Sequence, residues 1–283
     1  MLMRLAPWLL ILTLGAAPCL AAQDELRYPR APSGDEFRSR YALAALQLAL
    51  DKAGSALRIR PSRHPMEQQR ALLHLEQGTA VDVVWTMTST EREQRLLPVR
   101  IPLDKGLYGW RIVILRKDRS ELLRDVHSLP ELRRLRAGQG HDWPDTQILR
   151  SHDLPVEVSA SYESLFRMLR AGRFDYFPRA VLEAHDELAH VGNEDLALDR
   201  HVVLHYPTAL YFFFSRQRPE LAETVGTGLE LATRDGSFER LFQQYHGAEL
   251  ARARLTQRQV IELNNPLLPA QTPLQRKELW YRP

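Results

Sequence analysis

Met66–Trp85, MEQQRALLHLEQGTAVDVVW, is the stretch whose reading decides the fold. Met66–Gln77 spaces its apolar residues for one face of a helix, and Gly78 is an ordinary helix stop. Val81–Trp85 then runs as a short apolar strand broken only by Asp82. Helix, glycine, buried strand is the repeating step of an α/β chain. Upstream the step is repeated: Tyr41–Ala53 (YALAALQLALDKA) predicts a helix ending at Gly54, and Leu57–Arg60 a strand. Downstream come a polar turn over Thr86–Glu91 and a long β-run, Gly109–Arg116 (GWRIVILR), which carries the chain out of a first unit.

A smaller α/β unit follows. The sequence predicts a turn at Gly138-Gln139-Gly140, a helix over Asp145–Arg150 and a strand over Val156–Ser159. A helix over Tyr162–Arg170 is closed by Gly172. Next come a strand over Phe174–Phe177 and a helix from Ala180 to Ala189. Val202–Ser215 holds two β-runs divided by Pro207, and Tyr211–Phe214 is aromatic throughout, as in a strand buried on both faces. Pro219 opens a helix to about Thr233, a short one covers Phe238–Tyr245, and the proline-containing tail from Asn264 has no periodicity. Repeated helix–strand steps imply right-handed parallel crossovers, whose ligands collect beyond the carboxyl ends of the strands. That directs attention to the segments after Trp85, Gly138 and Phe177.

The first residues read as an export signal. Arg4 precedes an uncharged apolar run, Leu5–Leu14, and small residues follow as far as Ala21-Ala22. This is the three-part pattern of a secretory signal over residues 1–22, cleaved near Ala22, and the run is shorter than the roughly 20 residues of a membrane span. Cys19 is the single cysteine, so cleavage excludes a thiol nucleophile, a disulfide framework and a cysteine-ligated metal. Lys+Arg number 38 against Asp+Glu 35, a formal charge of +3 with no cluster of five like charges, which argues against nucleic acid as a partner. The expectation is a soluble periplasmic protein held together by core packing.

The ordered series RALLHLEQGTAVDVV, TMTSTEREQRLLPVRIPL, YGWRIVILRK, LFRMLRAGRFDYF and PELAETVGTGLELATRDGSFERLFQQYHG resembles the family 3 periplasmic solute-binding proteins, which deliver amino acids and similar small polar solutes to ABC transporters. The resemblance implies a two-lobed α/β chain of the type II periplasmic-binding fold, hinged on two crossover strands. Lobe one would comprise residues 23–113 and 206–263, lobe two 114–205, with a tail from 264 to 283. It implies a monomer that closes on a small polar or anionic solute, an amino acid or related carboxylate, with no cofactor or metal. The partner would be an ABC permease or a membrane sensor.

Residue by residue, Arg92 lies where the family's carboxylate-binding arginine sits, and a planar guanidinium suits a carboxylate with two parallel hydrogen bonds. Thr86, Thr88 and Ser89 add hydroxyl and backbone donors. Trp85 and Tyr28 are candidate walls of the cleft, while Tyr108 and Trp110 flank the crossover and pack the hinge. Asp142 and Trp143 follow the Gly-x-Gly turn, and Ser161 and Tyr162 stand at a helix start, where capping is the commoner role. Amino-acid-binding members place an acid shortly after the aspartate of the FDYF strand to hold the ligand's ammonium. Here Arg179 and Ala180 stand there, and no acid comes before Glu183. The expectation is a lost amine contact, with Arg179 favouring a second anionic group; Asp175 reads as structural.

The ten histidines form no H-E-x-x-H, and no G-x-S-x-G or P-loop is present, so no catalytic or metal-ligating residue is assigned. The enzyme alternative is a lyase resembling cyclohexadienyl dehydratase, with Arg92 and Arg179 clamping a dicarboxylate and Glu183 or Asp175 donating a proton.

Overall fold

The computed structural model describes residues 25–31, 39–192 and 194–283; the export reading, on residues 1–22, lies outside them. The first part of the chain forms β1 (Glu25–Arg30), α1 (Arg40–Lys52), β2 (Arg58–Pro65), α2 (Gln68–Glu76), β3 (Val83–Met87), α3 (Thr90–Arg95), β4 (Leu97–Val99) and β5 (Trp110–Arg116). The middle forms α4 (Leu129–Leu132), β6 (Ala137–Gly140), α5 (Pro144–Arg150), β7 (Val156–Ser159), α6 (Tyr162–Arg170), β8 (Phe177–Ala180), α7 (Ala184–Val191) and β9 (Leu196–Leu198). The chain returns through β10 (Val202–His205), β11 (Leu210–Phe214), α8 (Pro219–Arg234), α9 (Ser237–Ala253) and β12 (Gln259–Glu262). No helix among the described residues is long and apolar enough to cross a membrane.

The sheets are mixed rather than wholly parallel. β1 pairs parallel with β2 across α1, and β6 with β7 across α5, as the helix–strand steps imply. The returning strand β11, however, lies antiparallel between β3 and β4. β5 is antiparallel to β8, β9 and β10. The outgoing β5 and returning β10 meet at Arg111↔Leu204 and Trp110↔His205, and these are the two crossover strands of a two-lobed α/β molecule.

Central position explains the unbroken aromatic run of β11. Phe212 and Phe214 pack into a core with α1, α8 and α9, while Tyr211 and Phe213 pack against Ala71 and Leu75 of α2 and Val84 of β3. Burying each phenylalanine contributes about 1.5–3 kcal/mol. Beyond the crossover, Leu165, Phe166 and Leu169 of α6 close over Ile114, Phe174 and Phe177.

Three local expectations are corrected. Gly138-Gln139-Gly140 is buried strand rather than turn, because Gly138 lies so close to Phe174 that a Cβ would stand 2.2 Å from its ring, and Gly140 is equally close to Trp143. The strand expected at Phe174–Phe177 begins only at Phe177, Tyr176 bridging to Ala137. The helix expected from Ala180 therefore starts at Ala184.

Candidate ligand-binding site

A cleft of about 420 Å³ opens between the two halves of the molecule, within the few hundred Å³ usual for small-ligand sites. On one side stand the start of α2, the end of β3 and α3. Ser89 caps α3, its Oγ accepting from the Arg92 backbone N–H at 3.2 Å. This fixes Arg92 one turn into the helix, with Nη1 donating to Thr86 Oγ1 at 2.8 Å and to the Met87 carbonyl at 2.7 Å. Thr86 donates onward to Gln68 Oε1 at 2.8 Å. Burial pushes the Arg92 guanidinium down to about 10, opposed by Asp142, Asp145 and Glu91, so it remains a cation at neutral pH. It makes no ion pair among the described residues, and a charge so placed is ready for an anion.

Trp85 lines the cleft beside it. The ring stands edge-on to Phe212 at 6.4 Å and tilted against Tyr28 at 5.9 Å. Tyr28 backs Trp85 and does not itself line the cleft, although Pro29, Arg30 and Ala31 do. Thr88 and Ser89 are likewise turned away. The buried Thr88 hydroxyl donates to Glu93 Oε1 at 2.7 Å, and Ser89 is occupied as the cap. Of the expected hydroxyl donors, only Thr86 lines the site.

The facing side is built from β6, α5, α6 and β8. Asp142, Trp143 and Tyr162 line it, as does Arg179. Asp142 caps nothing: the N-cap of α5 is Trp143, with no side-chain cap bond. Ser161 does cap α6, accepting from the Ser164 N–H. Arg179 is 2 % exposed, and its guanidinium lies 4.6 Å from the centre of the Trp143 ring and 5.1 Å from that of Phe177. Its fork is bidentate to Glu187, Nε to Oε2 and Nη2 to Oε1 both at 2.6 Å, and Nη2 also reaches Glu183 Oε2 at 3.0 Å. Burial works against the charge, but Glu187 and Glu183 outweigh it and hold the guanidinium well above its usual value.

Arg179 is thus inside the cleft but already neutralised, and the second anion contact expected of it is taken by Glu187. The cause is the late start of α7. Residues 180–183 fold back as strand and turn, so Glu183 and the first turn of α7 come to lie over Arg179. The same fold-back returns an acid to the cleft, because Glu183 lines it and also accepts from the hydroxyl of Tyr108, in the segment before β5. Asp175, by contrast, lies elsewhere, paired with Arg119 at 2.8 Å and accepting from the Arg136 N–H. That is the structural role expected of it, and it is not placed to donate a proton in the cleft.

Arg111, on β5, was not among the expected site residues. Its side chain is 2 % exposed, lines the floor of the cleft and pairs with Asp145 at 2.6 Å, while Nε has no partner. The Tyr206 hydroxyl of the second crossover strand's exit also donates to Asp145, so one carboxylate ties both crossovers to the start of α5. An arginine inside the apolar run GWRIVILR was the available signal, since a cation buried in a strand needs a local partner. Among the described residues no group of three His, Cys, Asp or Glu side chains is placed to hold a metal ion.

No family model and no curated protein matches the chain by sequence. Solved structures match by shape. An ancestral arginine-binding protein bound to glutamine is 17% identical, with a TM-score of 0.61 over 80% of this chain and 99% of that one. The chain has the two-lobed type II periplasmic-binding fold. A putative ABC-transporter binding component from Wolinella succinogenes, complexed with lysine, is 15% identical at a TM-score of 0.59, covering 79% of this chain and 96% of that one. An ancestral amino acid-binding protein described as a precursor of cyclohexadienyl dehydratase is 14% identical at 0.58, covering 78% and 95%.

Proposed function

We propose that this is an exported periplasmic binding protein that captures a small amino acid-like or carboxylate solute between its lobes, for an ABC permease or a membrane sensor. Lobe one would span residues 23–113 and 206–263, and lobe two 114–205. The observation that carries the reading is Arg92, a part-buried cation on the cleft wall that makes no ion pair among the described residues and faces Asp142 and Asp145 across the gap. The ligand carboxylate docks on Arg92, which Thr86 holds in place. Its ammonium, where it has one, is received by Asp142 and Glu183, which stand on the opposite wall. Glu183 therefore serves in place of the acid missing at positions 179 and 180, and the neighbours that hold glutamine and lysine make amino acids the first ligands to try. Closure brings the walls together and dries the site, strengthening each hydrogen bond.

A thermal-shift screen of the purified protein against amino acids and dicarboxylates tests this. The expected result is a concentration-dependent rise in melting temperature with at least one of them, abolished in Arg92→Ala; an unchanged response in that variant refutes the assignment. Prephenate belongs in the same screen, and its measured turnover would replace binding by catalysis.

A further inference from the structure

The chain past α9 runs beside a crossover strand. β12 pairs parallel with β10 over Val202–His205, and Arg258 just before it donates to the carbonyls of Asp199 and Val202 at 2.7 and 3.3 Å. Beyond β12 the two segments stay in step. The Leu263 N–H donates to the His205 carbonyl, and Asn265 Nδ2 to the Pro207 carbonyl, both at 2.8 Å. Leu263 is buried in one cluster with Tyr206, Leu149 and Leu154. The Asn264 N–H donates to His152 Nε2 at 2.9 Å, and His152 follows α5, whose first turn lines the cleft.

This segment ends on the helix that carries Arg92. Asn265 Oδ1 accepts from the Leu267 N–H at 2.9 Å, an Asx turn of the kind asparagine forms with its own backbone two residues on. The turn presents the Leu267 carbonyl to Thr90, the first residue of α3. Thr90 donates to it from its N–H at 2.9 Å and from Oγ1 at 3.2 Å. A six-residue helix has few hydrogen bonds of its own and takes its place from its surroundings. The far end of α3 is held by Arg216, which follows β11 and donates to the carbonyls of Glu93 and Gln94. The near end, two residues from Arg92, is held by Leu267. None of residues 259–267 lines the cleft, so contact with a ligand does not account for the tie.

We infer that Thr90 is a positioning residue for the anion contact, through which the segment 259–267, fixed along β10, sets where Arg92 stands in the cleft. The functional consequence rests on the cleft reading, whereas the tie itself is made without ligand. Rotation of the lobes about β5 and β10 carries β12 with it. The Leu267 carbonyl then shifts the start of α3, so that closure and the placement of Arg92 are linked.

The test compares Thr90→Pro, Thr90→Ser and Asn265→Ala with the unmodified protein. Proline suits the first position of a helix, and Ser89 already has the extended backbone, φ −153°, ψ 158°, that a residue before proline needs. Thr90→Pro therefore removes both donors and leaves α3 formed, while Asn265→Ala frees the segment from outside α3. In the ligand-free protein, hydrogen exchange at the Arg92 and Glu93 amides should quicken about fivefold in these two variants, the equivalent of one net hydrogen bond. Exchange in β3 and β11 should not change. Glycine, L-glutamate and succinate, each bringing a carboxylate, are titrated in parallel as probes. Any that saturates the unmodified protein should bind both variants about fivefold more weakly, with melting temperatures of the free proteins within a few degrees. Thr90→Ser, which keeps both donors, should restore the unmodified behaviour. Unchanged exchange at Arg92 and Glu93 overturns the inference, and quickened exchange with unchanged affinity overturns the positioning role. If Thr90→Pro fails to fold, Asn265→Ala carries the same comparison. If no probe binds the unmodified protein, it is the cleft reading that fails, and the exchange rates still decide whether the segment holds Arg92.

Discussion

At the scale of single residues, three charged groups make separable predictions. Arg92 is part-buried and makes no ion pair among the described residues, so Arg92→Ala should remove the ligand response while leaving the free protein folded, with a loss on the order of 1–2 kcal/mol for its two hydrogen bonds. Urea denaturation without ligand checks the second half. Arg179 behaves oppositely because its charge is compensated inside the core. Glu187→Ala leaves that guanidinium short of its bidentate partner and should cost about 3–5 kcal/mol, visible as a large drop in melting temperature. Asp104 sits in the loop before β5, accepting from the N–H groups of Gly106, Tyr108 and Leu210, and burial pushes its carboxyl up to about 6. A raised carboxyl favours the folded state while protonated. The stabilisation is complete below the unfolded value near 4 and is lost as pH rises through about 6, a change of up to about 3 kcal/mol. Denaturant midpoints measured from pH 4 to 7 should fall with pH in the unmodified protein and fall less in Asp104→Asn.

At the scale of elements, what the sequence disclosed depended on whether a segment's own pattern or its tertiary neighbours set its conformation. α6 was legible to the residue, because Ser161 caps it, its apolar residues share one face and Gly172 closes it. β11 was legible because a strand between two neighbours, buried on both faces, has no polar side to show. β6 was not. Two glycines in four residues read as a turn, and only the rings of Phe174 and Trp143, distant or masked in the linear pattern, make them strand. The same limit hid part of the site. Arg92 and Trp85 were reached from a strand end and Asp142 and Trp143 from the glycine pair before them, but the pairing of Arg179 with Glu187 depends on where α7 begins, which no local signal announced. Gly138→Ala tests the β6 account: a methyl directed into Phe174 should destabilise by about 1–3 kcal/mol, and hydrogen exchange should quicken in β6 and β7 before it does in β3 and β11.

At the scale of the whole molecule, two polar contacts near the crossover strands have distinct consequences. Asp145 holds Arg111 of one crossover strand and Tyr206 at the exit of the other, so it fixes the hinge rather than the closing edge. The Tyr108–Glu183 hydrogen bond continues the β5–β8 pairing at the edge of the cleft and holds the proposed amine contact in place. Tyr108→Phe keeps the ring that packs near Arg111 and removes only the hydroxyl. A neutral-to-charged hydrogen bond contributes about 1.5–3 kcal/mol; because it is made without ligand its loss should lower the melting temperature, and because it positions Glu183 the variant should also bind more weakly. Small-angle scattering supplies the matching shape readout. Ligand should reduce the radius of gyration of the unmodified protein, and Tyr108→Phe should need a correspondingly higher ligand concentration for the same contraction. A variant that contracts at the unmodified concentration would place the closing force elsewhere, on the Arg92 side of the cleft alone.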